Sequence, residues 1–267
     1  MKKIPGDIVK KKFVIIGTGN VGTHLTRELH KKGFQPVQII NRSPEKARAL
    51  AIETNCDNFS TEIRIEGNPD FILVSVNDDS FPDIISEINP GDIPVFHCSG
   101  STPMSIFSVD FFHYGVFYPL QTFSMNRTPD FRNIPFLLEA SDTETMGLIK
   151  SVASSLSNKV LEINSEDRLK YHIAAVFASN FSNHMLTLAG DYLKKHKLPD
   201  YILNPLIQET FLKFIEKGDR DVQTGPAVRE DMKTLKKHEE ILKNDPDFQK
   251  IYTFVSESII QYKKKKD

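Results

Sequence analysis

Through the first 163 residues, short unbroken apolar runs alternate with stretches whose apolar residues recur at helical spacing. Continuous runs at 13–16, 37–40, 71–76 and 94–97, with a weaker one at 115–118, predict strands covered on both faces, as in a parallel sheet. Two late strands are expected at 136–139 and 159–163. Between them lie predicted helices at 23–32, from Pro44 onward, at 81–88 and at 143–156. Leu25 and Leu29 share one face of the first helix, Gly33 ends it, and Pro44 suits the first position of the second. Beyond Asn164 the pattern changes to helices alone: 165–197, 201–216 and a pair flanking Asn244-Asp245-Pro246. The sequence therefore predicts two domains, an α/β domain over 1–164 and an all-helical domain over 165–267.

The first strand runs directly into Gly17-Thr18-Gly19-Asn20-Val21-Gly22. A G-x-G-x-x-G turn between a strand and an amphipathic helix has a mechanical reading. The first glycine makes the tight turn, the second lets a pyrophosphate approach the backbone, and the third lets the helix pack on the strand. The helix N-terminus then presents free N–H groups to phosphate. This predicts a doubly wound Rossmann-type parallel sheet followed by the helical domain. A methyltransferase using S-adenosylmethionine also has a glycine-rich first turn, but it needs an acid at the end of the second strand. So does an NAD site, to hold the ribose 2′-hydroxyl. Here Asn41-Arg42-Ser43 occupies that place, with Glu45 close by. Arg42 suits a 2′-phosphate, and Asn41 and Ser43 can donate hydrogen bonds to it, so NADP (NADPH) is the expected cofactor.

Ligands in such sheets lie at the carboxyl ends of the strands. Val76, Asn77, Asp78 and Cys98 are expected along the nicotinamide half of the cofactor, and Ser99 and Gln121 against a substrate carbonyl or carboxylate. Cys98 beside His97 does not read as a nucleophile, because adjacent strand residues face opposite ways; His97 reads as structural. In the apolar helix that follows residue 164, His172, Ser179 and Asn183 fall on one face at ideal spacing, with Asn180 a fifth of a turn away. His172 is the candidate proton donor and Asn180 the candidate substrate-orienting residue. A set of satisfied core hydrogen bonds, or a dimer contact, explains these polar groups equally well. Arg229, after Thr224-Gly225-Pro226, reads as a carboxylate ligand or as a loop tie to Asp231, with Thr224 a possible helix cap.

Composition narrows the classes. The 267 residues are 39% hydrophobic and 26% charged with formal net charge −1, so no basic field marks a nucleic-acid binder. No apolar run is long enough to span a bilayer, and residues 1–7 lack the apolar segment of a signal peptide. Two cysteines, Cys56 and Cys98, make neither a disulfide framework nor a zinc site. The expectation is a cytoplasmic protein without metal, membrane or nucleic-acid partner. Lys263 to Lys266 reads as a solvated helix end.

Residues 13–101 resemble the Rossmann domains of deazaflavin-dependent NADP oxidoreductases and pyrroline-5-carboxylate reductases. Nearly the whole chain resembles a family of predicted oxidoreductases in which such a domain precedes a helical domain of uncharacterised function. The resemblance is carried by His97-Cys98-Ser99-Gly100-Ser101, by residues 115–123, by Tyr171-His172 through Asn180, and by Thr224-Gly225-Pro226 with Arg229 and Asp231. It implies NADP binding, an active site between the domains and a homodimer formed through the helical domain. Ketopantoate reduction occurs among relatives of this type, but the lysine and asparagine four apart of the ketopantoate and 3-hydroxyacid enzymes are absent, because Lys170 is followed at that distance by Ala174. The sequence reading is an NADPH-dependent reductase of a small, carboxylate-bearing carbonyl or imine. The alternatives are a non-catalytic NADP-binding redox sensor and an NADP–deazaflavin oxidoreductase.

Overall fold

The computed structural model describes residues 11–107, 110–217 and 222–265; residues 1–7 and Lys266, named above, lie outside them. The chain forms two compact units, residues 1–180 and 181–267. In the first, eight strands make one sheet: β1 (Lys12–Ile16), β2 (Gln35–Ile40), β3 (Phe59–Ser60), β4 (Phe71–Val74), β5 (Val95–His97), β6 (Tyr114–Pro119), β7 (Phe136–Ala140) and β8 (Val160–Glu162). Their spatial order is β3-β2-β1-β4-β5-β6-β7-β8. Neighbours from β3 to β6 are parallel, while β7 is antiparallel to β6 and parallel to β8. The expected doubly wound sheet is present, with its last two strands reversed. The two-residue β3 is too short to leave a periodic signal in the sequence.

The apolar runs of β1, β4 and β5 are buried on both faces, whereas the edge strand β8 leaves Leu161 exposed. Phe13 and Ile15 join one core with Leu25 and Leu29 of α1 (Asn20–Lys31), Leu50 of α2 (Pro44–Glu53) and Ile149 of α4 (Thr143–Leu156). Val14 and Ile16 join another with Phe81 and Ile85 of α3 (Phe81–Glu87). One strand thus feeds two layers because successive side chains alternate. Ser43 caps α2 by accepting from the Lys46 N–H, Asp142 caps α4 in the same way, and Pro44 stands at the start of α2.

After β8 comes α5 (Ser165–Ala175), then a π-helical segment (Val176–Phe181), then α6 (Ser182–Lys195). The wider π turn changes the angular phase, so the shared face inferred for His172, Ser179 and Asn183 from regular spacing does not carry across it. The division into units falls within this segment, beyond the compositional break at Asn164. The reason is Arg168, one per cent exposed, which ties α5 to the sheet. Its guanidinium pairs with the Glu139 carboxylate of β7 and donates to the Thr102 carbonyl at 2.6 Å. Ser165 Oγ also donates to Glu139, at 2.6 Å. Removing one partner of such a buried pair costs about 3–5 kcal/mol.

The second unit contains α6, α7 (Asn204–Lys217), α8 (Met232–Ile241) and α9 (Pro246–Lys264). The cap of α8 is Asp231, which accepts from the Thr234 N–H, and not Thr224. A carboxylate next to the first helical residue outcompetes a hydroxyl seven positions earlier on the far side of the Gly225 turn. Lys263 and Lys264 close α9 as a basic helix end. Among the described residues no helix is long and apolar enough to cross a membrane, and both cysteines are free and buried.

His97, at the end of β5, is completely buried between Phe81 and Phe107. Burial, reinforced by Arg168, holds its imidazole down at about 3. An unfolded histidine titrates near 6.5. The folded value is the lower one, so the neutral ring's contribution is complete above pH 6.5 and is lost as pH falls toward 3. Urea unfolding at pH 7 and pH 5 should show wild type losing up to about 1.4 kcal/mol per pH unit more than His97→Gln. Equal losses in the two proteins would show that His97 does not titrate in this way.

Candidate functional site

The glycine turn is shaped by close backbone approach. Gly17 has φ +98°, and a Cβ there would lie 2.1 Å from the Ser75 carbonyl oxygen. A Cβ on Gly22 would lie 2.1 Å from the Gly17 carbonyl oxygen. Both glycines are required by the protein's own packing. Gly19 differs: a Cβ there would meet nothing within 4 Å. Gly19 precedes α1, whose first turn has no acid and no side-chain cap. That leaves an open, electropositive helix end of the kind that receives phosphate. Thr18, six per cent exposed, has a buried hydroxyl oxygen without a hydrogen-bond partner. An orphaned polar atom beside an open helix end fits a site built for a polar ligand.

A cavity of about 300 Å³ lies over this turn. Of the residues expected at the cofactor, Gly17, Thr18, Gly19, Asn41, Arg42, Ser43, Val76 and Asn77 line it. Five expected cofactor residues do not. Asn20 donates its side-chain amide to the Phe123 carbonyl at 3.0 Å, and Val21 packs against the core. Gly22 serves the helix–strand approach, and Asp78 accepts from the Ser101 hydroxyl. Cys98 is buried, and burial pushes its thiol well above the ordinary range. The cavity also takes in Lys46, Thr61, Ile63, Ser75, Ser80 and Ile84, which the sequence reading missed. Lys46 was the one with a signal: it follows the Ser43 cap by three positions, which places it in the first turn of α2.

Asn41 and Ser43 are already engaged. Asn41 accepts from the Thr18 N–H at 3.2 Å and donates to the Ser43 carbonyl at 3.1 Å. Ser43 donates to Glu45 at 2.8 Å. These bonds lock the end of β2 to the glycine turn and leave Arg42 and Lys46 as the cationic groups of the cavity wall. A larger hollow of about 630 Å³ lies in the helical unit, but its walls are mainly apolar and it contains no phosphate-binding element.

A second constellation forms where β5 and β6 end. The Tyr118 hydroxyl of β6 lies 3.0 Å from His172 Nδ1 of α5. Gly100 sits against both: a Cβ there would come within 2.6 Å of His172 Nδ1 and of Tyr118 Cζ. Burial, reinforced by the Asp78 carboxylate, pushes the Tyr118 phenol up to about 12. Tyr118 was legible only as a strand residue, since nothing local announces a contact with a residue 54 positions away.

The other expected substrate residues are placed less centrally. The Ser99 hydroxyl oxygen accepts from the N–H groups of Ser101 and Thr102, at 3.1 and 3.0 Å, so it holds the loop. The Gln121 side chain accepts from the Thr122 N–H. Asn180 is exposed within the π-helical segment, and Arg229 is exposed in the second unit. Lys170 pairs on the surface with Glu166 and Asp167, which explains why it does not act as a helix lysine facing a site.

Residues 134–259 match the domain of unknown function DUF2520, and residues 1–75 match the shikimate / quinate 5-dehydrogenase family. The crystal structure of a Bacteroides fragilis protein, named "putative NADP oxidoreductase", is 40% identical and superposes with a TM-score of 0.89, covering 94% of this chain and 98% of that one. The chain belongs to this oxidoreductase family. A pyrroline-5-carboxylate reductase from Coxiella burnetii shares the fold at 14% identity, with a TM-score of 0.56 over 96% of this chain and 98% of its own. A glutamyl-tRNA reductase of Saccharolobus solfataricus is 31% identical over 75 residues, which are 28% of this chain. The chain spans less than a fifth of that relative's length, 18%, so the likeness concerns one stretch only.

The two kinds of glycine in this family member separate by experiment. Gly17→Ala combines a left-handed backbone with a backbone clash and should lose about 3 kcal/mol or more in urea unfolding. Gly19→Ala meets open space at φ −70° and should stay within about 1 kcal/mol of wild type. Similar losses in the two variants would refute the distinction.

Proposed function

We propose that this family member is an NADPH-dependent reductase of a small carbonyl or imine, with the dinucleotide on the glycine turn. The observation that carries the cofactor choice is the pair of cations, Arg42 and Lys46, in the cavity wall where an NAD site requires an acid. A 2′-phosphate there meets two positive groups, whereas the 2′-hydroxyl of NAD meets no carboxylate acceptor at the end of β2. Gly19 gives the pyrophosphate room, and the start of α1 supplies N–H donors. When bound, the reduced nicotinamide supplies the hydride. The carboxyl ends of β4, β5 and β6 then form the reacting end, with His172 as the source of the proton. Free, buried cysteines suit a reducing compartment and support the cytoplasmic reading.

Titration with NADPH and NADH, followed by nicotinamide fluorescence, tests the cofactor. NADPH should bind more tightly. Arg42→Ala should raise its Kd about 10–100-fold, the loss of one charge-assisted contact, while leaving NADH binding nearly unchanged. Equal or tighter binding of NADH would reject the reading. Turnover is then screened on ketopantoate, 2-oxoisovalerate and 1-pyrroline-5-carboxylate.

A homodimer through the helical unit belongs to the same proposal. Neither α6 nor α9 buries a single residue within the chain. Met185, Tyr201, Leu206, Phe214, Ile215 and Phe254 are all at least 40% exposed. A helical unit that covers so little of its own apolar surface is stabilised by a second copy of itself. Sedimentation should give a dimer at micromolar concentration, and Phe254→Glu should weaken it. A monomeric wild type would contradict the assembly without touching the cofactor assignment.

A further inference from the structure

Building on the NADPH-dependent reading above, we infer that Tyr118 is the catalytic group that gives its proton to the substrate, with His172 resupplying it, and that the substrate is therefore a carbonyl rather than an imine. The inference rests on the way three separate elements are arranged to bring these two side chains together. The Tyr118 hydroxyl and His172 Nδ1 are 3.0 Å apart with their rings edge-on, centroids 5.9 Å apart. Room for the contact exists only because residue 100 has no side chain. The helix bearing His172 is fixed one turn earlier by buried Arg168, held on Glu139 and the Thr102 carbonyl. Gly100 and Arg168 are thus positioning residues. The pair borders the loops that follow Val76-Asn77 of the cavity, since Asp78 accepts from Ser101, the neighbour of Gly100.

The chemistry selects the substrate class. Hydride addition to a carbonyl carbon breaks the C=O π bond and leaves an alkoxide, which must take a proton. Hydride addition to a protonated imine gives a neutral amine and needs none. A placed two-member donor is required in the first case, and for an imine only when it arrives unprotonated, so the pair favours a carbonyl. In the relay, the alkoxide oxygen takes the phenolic proton of Tyr118 as that O–H bond breaks. The phenolate oxygen then takes the proton on His172 Nδ1. The imidazole, now neutral, regains a proton from water. The redox change is complete with the hydride: NADPH is oxidised and the carbonyl reduced.

The charged groups facing the pair are Asp78, which follows β4, and Arg168 on the histidine's own helix; both act on Tyr118, and Glu139 offsets Arg168. His97 nearby is buried, and with its imidazole held down at about 3 it is neutral through the neutral range. With the phenol held high by its burial, Tyr118 remains a proton donor through the neutral range.

The test compares wild type, Tyr118→Phe, His172→Asn and His172→Gln on the three substrates named above. NADPH titration and ring NMR of His172 in the cofactor-free protein are followed alongside. The expected result is reduction of a 2-oxo acid by wild type, with kcat falling about 10²–10⁴-fold in Tyr118→Phe while KM and the NADPH Kd stay close to wild type. Both His172 variants should lose kcat as well, with KM and the NADPH Kd close to wild type. The His172 ring resonances should shift in Tyr118→Phe. Undiminished ketone reduction by Tyr118→Phe, reduction of the cyclic imine alone, or an unmoved His172 resonance would each overturn the inference while leaving NADPH binding intact. Failure of wild type to bind NADPH would instead overturn the reading on which the inference rests.

Discussion

A guanidinium removed from water must find its partners inside the protein, and Arg168 finds them on the sheet. Its pairing with Glu139 and its bond to the Thr102 carbonyl hold the first turns of α5 against β7 and the loop after β5. The proposed reacting end follows from that attachment. His172 stands one helical turn further on, on the same side, and so arrives at Tyr118. Without the buried pair, α5 has little else to hold it, because Arg168 is its only buried residue. A pair this deep costs desolvation and is a weak device for stability alone, but it fixes orientation, since the hydrogen-bonded fork has one satisfactory geometry.

The two constellations of the first unit divide the work by element type. The proposed anion-receiving end is made of backbone: glycines that let β1, β4 and α1 approach closely, and a helix terminus left open. The reacting end is made of side chains brought from β6 and α5, with a glycine between them to leave room. Polar residues that look available in the sequence are instead used to stiffen this frame. Asn41 joins the glycine turn to β2, Ser99 closes its own loop, and Asn20 ties α1 to Phe123. Among the described residues of the two constellations, Arg42, Lys46, Tyr118 and His172 are the side chains the proposal draws on.

The sequence by itself determined the local features. Apolar runs located the strands from β1 to β8 apart from the two-residue β3, and in β1, β4 and β5 burial on both faces is what makes the signal continuous. The glycine turn and the Arg42 position followed from spacing within one βαβ unit, where a fixed loop length leaves little freedom. What only the tertiary structure decided were the meetings between distant segments: Tyr118 with His172, Asp78 with Ser101, Arg168 with Glu139, and Lys46 with the cavity. Helical spacing could not carry past residue 175, because the π turn resets the phase. The sheet order and the attachment of α5 choose those partners, and both come from long-range packing, which no local period along the chain records.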